Sequence, residues 1–225
     1  VAGLTEDDIL DGALLIVPFA IICARAYYCA FSWDSFKDDP ISVLYIWNGG
    51  LAIYGGVIAG GLVIFAVSQI KKMNTMKILD IAVPAVLFAQ VLGRWGNFFN
   101  LEAYGEATTL PWRMCSGAFT TYLLSEGYSM EEIASGAVGV HPTFLYELLW
   151  NLVGVLLMIG TLIVSTLILK VSRERHINGF FFAFYMMWYG FGRMFIETLR
   201  TDSLWLIPGV IRISVLVAVI TFVAG

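Results

Sequence analysis

Apolar runs of about 20 residues recur along this chain, and that length is what a helix rising about 1.5 Å per residue needs to cross the hydrocarbon of a bilayer. Such segments stand at 10–31, 50–70, 78–97, 142–169, 178–198 and 206–225. The rest of the composition agrees: 59% of residues are hydrophobic, 13% are charged, and the mean hydropathy is +0.82. A soluble domain carries about 25% charged residues. The expected fold is therefore all-α, a polytopic transmembrane helix bundle of about six spans, with residues 1–225 as a single membrane domain.

The longest connection, 98–140, is rich in Gly, Thr, Ser and Glu and is expected to form a small cap outside the membrane. Lys71, Lys72 and Lys77 share one short loop and Lys170, Arg173 and Arg175 another, with His176 solvated beside them. Cytoplasmic loops concentrate Lys and Arg, so both belong inside, and alternation puts the 32–47 loop, the cap and the 199–206 loop on the extracytoplasmic side. A net charge of −4 carries no basic field for nucleic acid. Cys23, Cys29 and Cys115 lack metal-ligand spacing and read as packing residues; neither a metal nor a cofactor is expected. The chain opens on Val1 and stops at Gly225 within an apolar run, which predicts that its true N-terminus lies upstream.

Glycines punctuate the second span, where Gly56 and Gly60 make a GxxxG pair suited to close helix contact. The other reading breaks this segment near Asn48–Gly56 so that it lines a cavity.

Polar residues stand where lipid disfavours them. Arg25, Arg94, Asn97, Glu102, Tyr146, Glu147, Arg193, Glu197 and Arg200 lie in or at the ends of apolar segments, mostly toward the outer side. A charge at mid-bilayer costs at least ~2.5 kcal/mol, so an intramembrane ionisable residue is a functional hypothesis by default. Tyr189, Arg193, Glu197 and Arg200 form one stripe on a helix, which is either a self-neutralising Arg193–Glu197 pair or part of a site. Arg94 and Arg25 add positive charge without acids nearby in sequence. The planar fork of an arginine suits a phosphate, so an anionic lipid headgroup is a fitting partner. Thr143, after His141-Pro142, is expected to cap the helix that carries Tyr146 and Glu147.

Three motifs taken together, GRWGNFFNLEAYG (93–105), HPTFLYE (141–147) and YGFGRMFIETLRTDS (189–203), resemble the bacterial prolipoprotein diacylglyceryl transferase family. CARAYY and IWNGGLAIYGGVIAG resemble that family's second and third spans, so the likeness runs from about Pro18 to Ser214. It implies a seven-span enzyme of the bacterial inner membrane whose first span is missing here. It implies transfer of diacylglycerol from phosphatidylglycerol to the lipobox cysteine in the signal peptide of a preprolipoprotein, leaving a thioether and releasing glycerol phosphate.

Carried over by position, Arg94 and Arg193 match the two arginines on which the family depends. Asn97, Glu102 and Gly105 complete the first motif, and Tyr189, Glu197 and Arg200 match the last. Arg25 joins them as a headgroup ligand. The family commonly has a histidine in the glycine-rich segment where this chain has Tyr54, a poor general base with a phenol pKa near 10 and a better hydrogen-bond partner for the headgroup. The alternatives are an anion-recognising transporter and another phospholipid-dependent membrane transferase. Against the transporter, the polar residues cluster outward and no repeated halves are visible.

Overall fold

A computed structural model describes residues 6–168, 178–201, 205–207 and 211–225. Lys170, Arg173, Arg175 and His176 lie outside these residues. The long helices are α1 (Glu6–Phe31), α2 (Ile53–Ile70), α3 (Thr75–Asn100), α6 (Thr143–Ile163), α7 (Phe180–Ile196) and α8 (Ile213–Ala224). Between α3 and α6 come two short helices, α4 (Thr120–Ser125) and α5 (Met130–Ala134), and the paired strands β1 (Ala107–Thr108) and β2 (Gly139–Val140). Strands β3 (Trp205–Ile207) and β4 (Ile211–Arg212) precede α8.

Among the described residues, four helices are long and apolar enough to cross a membrane: Leu10–Phe31, Ile53–Ile70, Thr75–Asn100 and Thr143–Leu167. Their outward faces carry side chains such as Leu14, Val57 and Phe99, each more than two-thirds exposed, the inverse of a water-soluble surface. The architecture is an all-α membrane helix bundle. The fifth expected span is the 17-residue α7, extended by a 3₁₀ turn over Glu197–Leu199. The sixth differs from expectation. Residues 206–225 do not form one helix, because β3 and β4 pair first and α8 begins only at Ile213. Apolar β-branched residues serve a short strand as well as a helix, so hydropathy does not separate the two.

The chain divides within α3 into two compact units, one running through Leu79 and the other from Asp80. In the first, α1 and α2 pack antiparallel, since Gly55 sits against Cys23 and Gly60 faces Ile16. A Cβ at Gly55 would lie 2.3 Å from the Cys23 carbonyl, whereas at Gly56 and Gly60 it would stand 3.6 and 3.9 Å from its nearest neighbour, ordinary van der Waals contact. Close packing thus falls on Gly55 and the buried Ala59 rather than on the expected Gly56–Gly60 pair. Residues 49–52 are non-helical, with Gly49 and Gly50 at φ +84° and +75°, whereas Gly55 and Gly56 lie within the continuous helix α2 rather than in the expected break.

In the second unit, Val83 and Leu87 of α3 meet Val155 and Met158 of α6, with Phe181, Phe182, Phe184 and Tyr185 of α7 against them. Trp150 and Trp188 stack with ring centroids 4.3 Å apart, and each indole N–H donates to the other's backbone carbonyl at 2.9 and 3.0 Å. The Asp80 carboxylate accepts from the N–H groups of Gly179 and Phe182 at 2.7 and 2.9 Å, so a side chain of α3 caps α7. Residues 101–142 have a small core of their own, Phe119, Leu123, Val138 and Val140. Within that region burial, and then the Glu126 charge, push the Tyr122 phenol up, while the Ser129 N–H and hydroxyl hold Glu132 below the ordinary carboxylate range.

Candidate active site

The last turns of α3 present Arg94 and Asn97, and Arg94 Nη1 donates to Asn97 Oδ1 at 3.0 Å. Asn97 Nδ2 donates in turn to Glu102 at 3.2 Å, and Asn100 does the same. The chain must turn sharply to bring Glu102 back: Leu101 and Ala103 adopt φ of +53° and +55°, a conformation that costs a non-glycine residue about 1 kcal/mol or more. The Thr143 hydroxyl donates to the Ala103 carbonyl and holds this turn. Thr143 is therefore not the N-cap of α6; Pro142 occupies that position, and the hydroxyl is spent across the chain.

Gly105 follows. A Cβ there would come within 2.7 Å of His141 Cβ and 2.8 Å of the Leu199 carbonyl, and its backbone bridges to Arg200. The tight approach at this glycine is made to the protein's own chain. It locks the end of the α3 motif to the segment after α7.

Glu147, one turn into α6, sits at the centre. Arg94 Nη2 pairs with Glu147 Oε2 and Arg193 Nη1 with Oε1, while Arg200 Nη1 stands 3.9 Å from Oε1. Arg193 Nη2 also pairs with Glu197 Oε2 at 2.6 Å. Ser214 Oγ donates to Glu197 Oε1 at 2.5 Å, and Arg212 Nη1 donates to the Glu197 and Arg200 carbonyls. The side chains of Glu147 and Glu197 are 5% and 2% exposed, so their charges are tolerable only because they are paired. Arg94 and Arg193 remain 19% and 14% exposed. Their contacts to Glu147, Asn97 and Glu197 leave further N–H donors on each fork.

Arg94, Asn97, Glu102, Gly105, Arg193, Glu197 and Arg200 thus join one network. Tyr189 lies one turn along α7 from Arg193 and stacks on Tyr185. Arg25 and Tyr54 belong to the first unit. The Arg25 guanidinium is spent on backbone carbonyls: Val43 at 2.8 Å, Gly49 at 2.6 Å, Gly50 at 2.9 Å, Ser42 at 2.8 Å and Tyr45 at 3.4 Å. Expected as a headgroup ligand, it organises the loop before α2. Tyr54 opens α2 with its ring tilted against Tyr27.

Sequence alone left Glu147 undecided and passed over Arg212 and Ser214. The acid that balances Arg94 was sought nearby in sequence, whereas it comes from another helix. Its signal was a glutamate on an otherwise apolar helix, four residues before Asn151 on the same face. Tyr146, its neighbour, turns to the cap: the Trp112 indole donates to its hydroxyl at 2.9 Å, and His141 Nδ1 lies 3.0 Å from the same oxygen. Among the described residues, no three His, Cys, Asp or Glu side chains gather as a metal site would require.

A family model described as prolipoprotein diacylglyceryl transferase matches residues 2–225. The chain belongs to this family. Its relatives include proteins named phosphatidylglycerol–prolipoprotein diacylglyceryl transferase. That of Enterococcus faecalis is 41% identical over 99% of this chain and 74% of its own length. That of Streptococcus suis is 44% identical over 88% and 67%, and that of Lysinibacillus sphaericus 39% identical over 99% and 76%. Family membership makes the chain a transferase, and the guanidinium cluster built from all three of the motifs is its candidate active site.

Proposed function

We propose that this chain transfers the diacylglyceryl group of phosphatidylglycerol to the lipobox cysteine thiol of a preprolipoprotein, in the bacterial inner membrane with its site on the extracytoplasmic side. The observation that carries the reading is the convergence of Arg94 and Arg193, from separate helices, on one buried carboxylate. Guanidiniums held in place before substrate arrives lose little to reorganisation when charge develops. The transporter alternative is not favoured in a chain of this family.

The nucleophile belongs to the substrate. A thiol with an ordinary pKa of about 8.5 must lose its proton to attack. Its sulfur bonds to the glyceryl carbon as the carbon–oxygen bond to phosphorus breaks, the electron pair leaves on the phosphate oxygen, and the proton ends in solvent or on the released glycerol phosphate. Arg94 and Arg193 hold the phosphate and stabilise charge on that oxygen. Glu147 and Glu197 fix the two forks, and Asn97 and Glu102 set the outer edge against the headgroup. Arg200, Gly105 and Tyr189 complete the wall. Tyr54 is assigned a hydrogen bond to the headgroup on the family pattern alone, and Tyr54→Phe with unchanged turnover at every pH would remove it.

The test is an assay with phosphatidylglycerol and a lipobox peptide, following the thioether-linked product. Product from phosphatidylglycerol and little from phosphatidylethanolamine is expected. Equal use of the two donors would defeat an anion-selective site.

A further inference from the structure

A second polar layer lies one helical turn inward from the ion cluster. On α3, Gln90 precedes Arg94 by four residues; on α6, Asn151 follows Glu147 by four; on α7, Tyr189 precedes Arg193 by four. Residues four apart share a helix face. Three helices therefore repeat the same order, charged residue near the membrane surface and neutral polar residue beneath it. Gln90 Nε2 donates to the Tyr185 hydroxyl at 2.9 Å, and Tyr185 stacks on Tyr189.

The layer is not self-satisfied. Asn151 is 2% exposed, and its Nδ2 has no hydrogen-bond partner in the protein. An amide serving only to hold helices together would bond across to its neighbour. Here that task falls to Trp150 and Trp188, whose indole N–H groups and carbonyls satisfy each other. A buried donor without an acceptor is costly, and Gln90 Oε1 in the same layer is likewise buried without a donor, so a bound molecule that brings polar groups to this layer gains hydrogen bonds the helices leave open.

The chemistry of the donor lipid supplies an acceptor. Four residues along a helix put Asn151 about 6 Å deeper than Glu147. In a glycerophospholipid the acyl ester carbonyls hang below the phosphate by the length of the glyceryl unit, a span of the same order. We propose that Asn151 Nδ2 donates a hydrogen bond to an acyl ester carbonyl of the diacylglyceryl group, so that the site reads the ester linkage below the phosphate. The assignment rests on the transfer reaction above and adds a subsite to it. The bond forms in the bound donor and persists in the product, so its effect falls on donor binding more than on the chemical step.

The experiment compares phosphatidylglycerol with its dialkyl ether analogue, which keeps headgroup and chains but lacks both carbonyls. Each is offered in vesicles with the same lipobox peptide. The unmodified protein is expected to favour the diester by about tenfold in kcat/KM, most of it in KM. Asn151→Leu removes the donor and should bring the ratio near one by weakening use of the diester alone. The smaller Asn151→Ala, which cannot overpack the site, should do the same, while Asn151→Ser keeps a donor and part of the preference. Equal use of ester and ether by the unmodified protein, or a preference that survives Asn151→Leu or Asn151→Ala, overturns the subsite; a water held at Asn151 gives that result. Absence of any thioether product from the diester would instead sink the transfer reading itself.

Discussion

Arg25 in the first unit and the Arg94–Arg193 pair in the second give the same signal in sequence, a guanidinium in an apolar helix, and end in different chemistry. Arg25 is buried and spends its donors on carbonyls of residues 42–50, with the rings of Phe36 and Tyr28 5.1 and 5.9 Å from its charge. It ties the carbonyls of two 3₁₀ turns and of Gly49 and Gly50 into a fixed loop. Arg94 and Arg193 pair with carboxylates and stay 19% and 14% exposed. A carbonyl acceptor fixes backbone, and a shared carboxylate fixes the aim of a charge. What separates the loop-fixing arginine from those of the candidate site is therefore its acceptor, which hydropathy does not report.

Substitutions that keep charge and lose shape put that distinction under the greatest strain. Lysine at position 94 or 193 can still neutralise Glu147 but cannot present a planar fork. Transfer should fall by about 10²–10³-fold, the size seen when one positioned donor is lost from a charge-stabilising site. The protein should still insert and purify, and donor-saturation kinetics on the purified variants make the check. Near-normal rates would dissolve the contrast with Arg25. Arg25→Met tests the other arm. It strips donors from five part-buried backbone carbonyls and should lower unfolding stability by about 3 kcal/mol, read by thermal or denaturant unfolding in detergent. An unchanged midpoint would mean that the loop before α2 holds its shape without the guanidinium.

Which of these facts can be read from the chain follows the range of the interaction. The helices over 53–70 and 75–100 are written in local hydropathy, and they fall within a few residues of the apolar segments that announce them. Arg94 and Arg193 stand out because a charge in an apolar run is conspicuous by itself. Glu147 is equally conspicuous, yet its importance comes from two helices that meet it in space. The end of the chain differs for another reason: averaged hydropathy runs across Pro208-Gly209, a turn signal in the sequence, so the strand residues before Ile213 merge with the apolar helix after it. Gly55 lost out to Gly56 because motif spacing records period and not which face a neighbour occupies.

Asp80 asks whether the lesson about Arg25 extends to acids. It too is a charged side chain on an apolar helix spent on backbone, here the N–H groups of Gly179 and Phe182 at the start of α7. Carboxylate and helix N-terminus attract through the local dipole. Asp80→Ala should cost about 1 kcal/mol in unfolding stability, the usual worth of an N-cap, less than the loss at Arg25 because fewer backbone groups are orphaned. The drop should accompany faster amide hydrogen exchange in the first turn of α7. Exchange unaltered there would place the effect elsewhere.

Glu132 carries the same bond out into water, where the comparison should fade. Its carboxylate accepts from the Ser129 N–H at 2.9 Å and hydroxyl at 2.7 Å, closing a capping box at the start of α5. Those bonds favour the ionised form, and the folded carboxyl titrates below its ordinary value of 4.5. A depressed folded pKa means that the unfolded chain takes up the proton first as pH falls. The stabilising contribution is therefore full above about pH 4.5 and is lost as pH drops through the folded value. Glu132→Gln can still close the box but carries no charge. Its unfolding midpoint should lie slightly below that of the parent at pH 7, and the gap should close as pH falls through the lowered folded value of Glu132, below which both side chains are neutral. A gap of the same size on both sides of that value would assign the effect to hydrogen-bond geometry, and exposed charge on backbone would then follow the rule of the buried sites.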